Sequence, residues 1–273
     1  MQQKTTLLST NTKEESTMNI ALITGASSGM GQEFVRRIDT MGLDELWLVS
    51  RRSERLKELA DSLKTPCKLI SADLSKTESI DEIAALLAER KPNLKILVNA
   101  SGFGIFKDAA NTALADQYAM IDLNARGLVG VTHVCLPYME RGGEIYQFGS
   151  LSSFQPVPWI NIYAATKAFV LSYTRALNVE LKPRGIRAMA VSPGWVKTEF
   201  FDHAVKDDTI IYYNRYYTSE QVITRALRDM KRGKDVSICG FPVRAQVLLT
   251  KLLPHKLVMA IWCKQQKQPR GEK

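Results

Sequence analysis

The chain predicts a doubly wound α/β fold, a mainly parallel sheet of seven strands with helices on both faces. Short aliphatic or β-branched runs alternate with segments of helical apolar spacing across residues 19–240. No linker, internal repeat or low-complexity stretch interrupts that alternation, so one domain is expected over 19–240. The 273 residues, 45% of them hydrophobic, are ample for a buried core.

Asn19–Thr24 reads as the first strand, followed by a helix over Gly29–Met41 with Phe34, Val35 and Ile38 inward and Gly42 as its stop. A second strand spans Glu45–Ser50, a helix capped by Ser53 runs to Leu63, and Cys67–Ser71 forms a third strand. Ile80, Ile83, Ala84 and Leu87 place a helix over Thr77–Glu89, before a fourth strand at Leu94–Asn99. Ala113–Arg141 holds one or two helices interrupted near Asp122–Asn124, and Glu144–Phe148 is a fifth strand. A long helix over Asn161–Leu181 stops at Pro183 and Gly185, before a sixth strand at Ile186–Val191. A helix over Ser219–Arg232 and a strand over Val236–Cys239 complete the series.

The formal charge of +9 is concentrated in the tail, where Lys251 to Lys273 carry six Lys or Arg against one acid. With no basic patch interleaved with aromatics, nucleic acid is not an expected partner. Four widely spaced cysteines without a Cys-x-x-Cys pair predict reduced thiols in the cytoplasm, and three scattered histidines predict no metal site. Residues 1–18 are polar and read as a disordered extension, with Met18 as an alternative start; no signal peptide or membrane span is expected.

Gly25, Gly29 and Gly31 open the first helix directly after a strand. The first suits a tight turn, the second lets a phosphate approach the backbone, and the third allows close packing. The helix N-terminus then presents free amides to a dinucleotide's pyrophosphate. At the end of the second strand the chain reads Ser50-Arg51-Arg52, with no acid to accept from ribose hydroxyls. Arginine there pairs with a 2′-phosphate, so NADP(H) is favoured over NAD(H), with Arg51 as first clamp and Arg52 as second. Asp73, after the third strand, either receives the adenine amino group or closes a turn.

Tyr163 and Lys167 lie four residues apart near the start of a predicted helix, on one face. A free phenol, with a pKa of about 10, is a poor acid near neutrality, and a neighbouring ammonium is expected to lower it. Ser150 follows the fifth strand, where it could donate to a substrate oxygen as charge develops, with Ser152 and Ser153 as rivals. Asn124 either orients a water leading to Lys167 or simply marks a helix break.

These residues resemble the short-chain dehydrogenase/reductase family over about 19–240. The resemblance rests on Thr24-Gly25-x-x-x-Gly29-x-Gly31, Asp73-Leu74, Asn99-Ala100-Ser101-Gly102, Asn124, Ser150, Tyr163-x-x-x-Lys167 and Pro193-Gly194-Trp195-Val196-Lys197-Thr198. It departs from the usual pattern where Val98 stands before Asn99 and Ser101 intervenes before Gly102. It implies a Rossmann-type sheet, a catalytic tetrad of Asn124, Ser150, Tyr163 and Lys167, and a homodimer or homotetramer. Further implied cofactor contacts come from Ser27, Ser28, Met30, Leu74, Ala100, Ser101, Gly102 and Val196. Asn99 would stabilise the central sheet, while Pro193, Gly194 and Thr198 would meet the nicotinamide end.

In similar enzymes the segment between Thr198 and Ser219 covers the substrate; here Phe200, Phe201 and a run of tyrosines either suit a bulky apolar carbonyl compound or only pack a lid onto the domain. The tail predicts two short amphipathic helices in 241–273, which cap the domain, join subunits or lie on an anionic membrane surface. The expected activity is reversible carbonyl reduction. The alternatives are a non-catalytic dinucleotide sensor and a membrane-peripheral interaction protein.

Overall fold

A computed structural model of the chain describes residues 17–204, 209–213 and 215–267. Most of the expected extension, residues 1–16, and the end of the tail, 268–273, lie outside the described residues. Seven parallel strands form the sheet: β1 (Asn19–Thr24), β2 (Glu45–Ser50), β3 (Cys67–Ser71), β4 (Asn93–Asn99), β5 (Glu144–Phe148), β6 (Arg187–Val191) and, after a small parallel pair made by β7 (Trp195–Val196) and β8 (Tyr216–Tyr217), β9 (Val236–Ser237). The order β3-β2-β1-β4-β5-β6-β9 reverses direction between β1 and β4, which opens a crevice at the carboxyl ends of those two strands.

The helices are α1 (Gly29–Ile38), α2 (Ser53–Asp61), α3 (Thr77–Arg90), α4 (Leu114–Ile121), α5 (Leu128–Cys135), α6 (Asn161–Glu180), α7 (Phe200–Ala204), α8 (Ser219–Lys231), α9 (Phe241–Leu252) and α10 (His255–Gln265). Because side chains alternate along a strand, each strand feeds two cores. Ala21, Ile23, Leu46 and Leu48 pack with Phe34 of α1, Leu56 of α2 and Ile223 of α8. Ile20, Leu22, Trp47 and Val49 pack on the other face with Ile83 of α3, Val131 of α5 and Leu177 of α6.

Element ends differ from expectation where a side chain redirects the backbone. The first helix closes at Ile38, not Met41, because the Asp39 carboxylate accepts from the amides of Lys64 and Thr65 and its carbonyl from the Thr65 hydroxyl. Ser53 is the first helical residue and not a cap; Arg52 precedes it. The last strand is two residues long, since β6 offers it only Ala190 and Val191 as partners. The interruption at Asp122–Asn124 is a π-helical turn, Asp122–Gly127, that joins α4 to α5 without a break.

Candidate active site

The glycine turn lies at the sheet's switch point, tightly apposed to the end of β4. Gly25 adopts a left-handed backbone, φ 65°, and a Cβ there would come within 2.8 Å of the Ala100 carbonyl and the Ser101 amide. A Cβ at Gly31 would strike the Gly25 carbonyl. Both positions therefore need glycine for close backbone approach. Gly29, also left-handed, faces the Thr198 side chain, so the glycine turn and the Pro193–Thr198 loop form opposite banks of one crevice. The Ser101 amide donates to Thr24 Oγ1 at 3.2 Å, tying the two strand ends together.

At the end of β2 it is Arg52 that reaches the glycine turn. Its Nε donates to Ser27 Oγ at 3.0 Å and its Nη2 to Ser28 Oγ at 2.5 Å, while Ser27 and Ser50 share a hydroxyl bond of 2.7 Å. Arg52 and Arg55 together hold the Glu199 carboxylate at 2.9 and 2.7 Å. Those two guanidinium groups keep Glu199 below the usual carboxylate range. Arg51 is exposed, and its charge acts on Asp73. Asp73 itself closes a turn, accepting from the Ser75 amide at 3.1 Å and the Ser75 hydroxyl at 2.8 Å. Burial would raise its carboxyl, but these bonds and the nearby cations leave it lowered. The Leu74 side chain is buried in the core, so only its backbone can meet a ligand.

Asn99 is a pin of the central sheet. Its side-chain amide donates to Thr132 Oγ1 at 3.0 Å, which also accepts from Gln147 Nε2 at 2.9 Å and donates to the Leu128 carbonyl at 2.7 Å. Thr132 carries no motif signal, and only its position on α5 against β4 and β5 reveals the role.

Ser150, Tyr163 and Lys167 line one cavity. The Tyr163 hydroxyl is hydrogen-bonded with Ser150. Ser150 Oγ also accepts from the Ser152 amide at 3.2 Å, within the capping box of a short helical turn, Leu151–Phe154. Ser153, the second rival, is committed elsewhere: its hydroxyl donates to the Lys167 carbonyl at 2.8 Å. Asn124 is fully buried in the π-helical turn, accepting from the Phe103 amide at 3.0 Å and donating to the Phe103 carbonyl at 2.8 Å and to Thr166 Oγ1 at 3.2 Å. A Cβ on Gly102 would sit 2.9 Å from Asn124 Oδ1 and 3.4 Å from Lys167 Nζ, so those two side chains converge.

The expected acidified phenol is a correction. Lys167 Nζ donates to the Phe148 carbonyl at 2.7 Å and stands 5.7 Å from the centre of the Tyr163 ring. Burial pushes the Tyr163 hydroxyl up to about 12, an effect its bond with Ser150 opposes without reversing. Burial likewise brings Lys167 down to about 8. Desolvation is the larger effect on the phenol, and the ammonium's own hydrogen bond goes to the Phe148 carbonyl.

The cavity measures about 390 Å³. Met30 of the glycine turn, Ala100, Gly102, Pro193, Gly194, Val196 and Thr198 share its wall with Ser150 and Tyr163, so the cofactor crevice and the catalytic group meet in one space. Phe200 packs 5.5 Å from the Tyr163 ring, and Phe106 holds Trp195 and Phe201 edge-on. The tail lines the remaining side through Leu249 of α9, Leu253 between the helices, and Val258 and Trp262 of α10. Trp262 Nε1 also donates to the Pro158 carbonyl at 3.1 Å, tying α10 to the loop before Tyr163. The tail's helical stripes were legible, but their lining of the cavity was not.

Comparison with known proteins places the chain in a family. Residues 19–209 match the family described as short chain dehydrogenase. Sulfoacetaldehyde reductase 2 of Chromohalobacter salexigens is 38% identical over 188 residues, 67% of this chain and 74% of that protein. A short-chain dehydrogenase from Sphingobium yanoikuyae in complex with NADPH superposes with a TM-score of 0.74 at 28% identity, covering 94% of this chain and 98% of that one. The bulky-bulky ketone specific alcohol dehydrogenase of Comamonas testosteroni gives a TM-score of 0.69 at 25% identity, over 93% and 96% of the two chains. The chain belongs to the short-chain dehydrogenase family and is an oxidoreductase acting on CH–OH groups.

Proposed function

We propose that the protein is an NADP(H)-dependent carbonyl reductase, reversible to alcohol oxidation, that acts on a bulky apolar substrate. One observation carries this reading: the Tyr163–Ser150 pair and the rim of the glycine turn line the same aromatic-walled cavity. The residues present suit a dinucleotide. The glycine turn would allow close approach of its pyrophosphate, and Lys167 and Asn124, which converge on Gly102, would help to hold its nicotinamide end. Bound there, a reduced nicotinamide supplies hydride to the carbonyl carbon. Tyr163 gives its hydroxyl proton to the carbonyl oxygen, and the C=O bond becomes C–OH. Ser150 donates a hydrogen bond to that oxygen as charge develops on it. Lys167 would return a proton to the phenolate and regain one from solvent through a water oriented by Asn124.

The phosphorylated cofactor is supported by the absence of an acid at the end of β2 and by Arg52 at the Ser27–Ser28 hydroxyls. That Arg52 and Arg55 already hold a carboxylate supports an anion at this place. Arg51, exposed and directly after β2, is a second cation at that strand end. The NADPH complex of the Sphingobium relative supports the same preference.

Tyr163→Phe tests the acid role. Turnover should fall by about 10²–10⁴-fold, the usual worth of a positioned acid, while NADPH affinity changes little. Persistent turnover on a ketone panel would remove Tyr163 from the mechanism. Equal kcat/KM with NADH and NADPH would remove the cofactor preference.

A further inference from the structure

The cavity wall is almost devoid of charge. Among its described lining residues the one cationic side chain is Lys167, whose ammonium is already bonded to the Phe148 carbonyl; no arginine, histidine, aspartate or glutamate is among them. This contrasts with the tail that builds part of the wall. Arg244, Lys251, Lys256 and Lys264 all lie on α9 or α10, yet none of them lines the cavity. These helices and the turn between them instead present Leu249, Leu253, Val258, Ile261 and Trp262 to it.

Besides hydroxyl groups, among them those of Ser150 and Tyr163, the wall carries side-chain amides. Gln155, Gln246 and Gln265 line the cavity, and none of their side chains forms a hydrogen bond with a described residue. Each offers a donor and an acceptor without charge. An anionic substrate would leave water here without finding a counter-ion, whereas a neutral polar group would find partners. The sulfoacetaldehyde reductase relative is named for a substrate bearing a sulfonate. Among the described residues this wall offers such a group no cation other than Lys167.

We propose that the substrate is an uncharged, largely apolar ketone carrying a second, neutral hydrogen-bonding group, and that α9 and α10 make this selection. The proposal rests on the carbonyl-reductase reading and adds a substrate class to it. The family match ends at residue 209, so the helices that choose the substrate lie beyond the segment that supplies the chemistry.

Two ketones of equal size test it, para-acetylbenzamide and para-acetylbenzoate, given to the full chain with NADPH at neutral pH. The amide should show a kcat/KM about tenfold or more above that of the carboxylate, with the difference mainly in KM, as expected for an uncompensated charge entering an apolar site. Gln265→Arg should narrow that ratio by at least about threefold, because it brings a cation to the wall. Quenching of Trp195 and Trp262 fluorescence reads binding without turnover. Binding without turnover would count against the reductase reading and leave the wall's selectivity standing. Equal binding of the two ketones, no binding of either, or a ratio unmoved by Gln265→Arg would overturn the proposal.

Discussion

Burial acts on Tyr163 and Lys167 in opposite directions, because it penalises whichever form is charged. With Lys167 at about 8 and Tyr163 at about 12, the lysine is the group that titrates in the working range. Its ammonium is present below about 8 and lost above it. Reductive kcat/KM, which reports the free enzyme, should therefore decline as pH rises through about 8. Initial rates from pH 6 to 10 check this, and a limb confined to the region near 10 would assign the titration to the phenol. The serines divide just as sharply. Ser152 Oγ is buried and lacks a hydrogen-bond partner, so Ser152→Ala should leave activity within about twofold and stability unchanged or slightly higher. Ser150→Ala, removing a donor to the developing charge, should lower kcat by about 10²–10³-fold. Similar losses from both variants would show that the two hydroxyls share the work.

At the scale of elements, the π-helical turn Asp122–Gly127 does two jobs at once. It aims Asn124 into the site and brings Gly127 against the loop after β3, where a Cβ would strike the Leu74 carbonyl. Gly127→Ala should cost about 1–3 kcal/mol, the usual penalty for overpacking a buried contact, read as a lower urea midpoint. An unchanged midpoint would mean that the Asp73–Leu74 loop yields freely. The interruption itself was legible from Asp122–Asn124, but its π-helical form was not, because apolar spacing barely distinguishes a one-residue bulge from a break. Strand limits were legible almost to the residue for β1, β2, β3 and β5, where β-branched runs end at polar turns. They failed at β9, whose length depends on how much of β6 is left to pair.

For the whole molecule, Leu114, Tyr118 and Ile121 form an exposed row along α4 at i, i+4 and i+7 spacing, and Phe169 is exposed on α6, which packs beside it. Exposed apolar side chains on two neighbouring helices suit an association surface. A homodimer or homotetramer is the expected state at micromolar concentration by sedimentation equilibrium. Tyr118→Glu, burying a charge at that contact, should shift it toward monomer; a monomeric wild type would refute the assignment. No helix among the described residues is long and apolar enough to cross a membrane.

The amino-acid sequence alone determined the layered sheet, the glycine turn and the Ser150, Tyr163 and Lys167 group, because each depends on periodicity or on neighbours within a few turns of chain. Only the tertiary structure decided that Arg52 and not Arg51 reaches the glycine turn, and that Glu199 meets Arg52 from 147 positions away. Only it decided that Lys167 turns to the Phe148 carbonyl, and that the basic tail shows the cavity an uncharged face. Hydrophobic patterning specifies which side of an element is buried, whereas charge and proton affinity depend on what is buried opposite it.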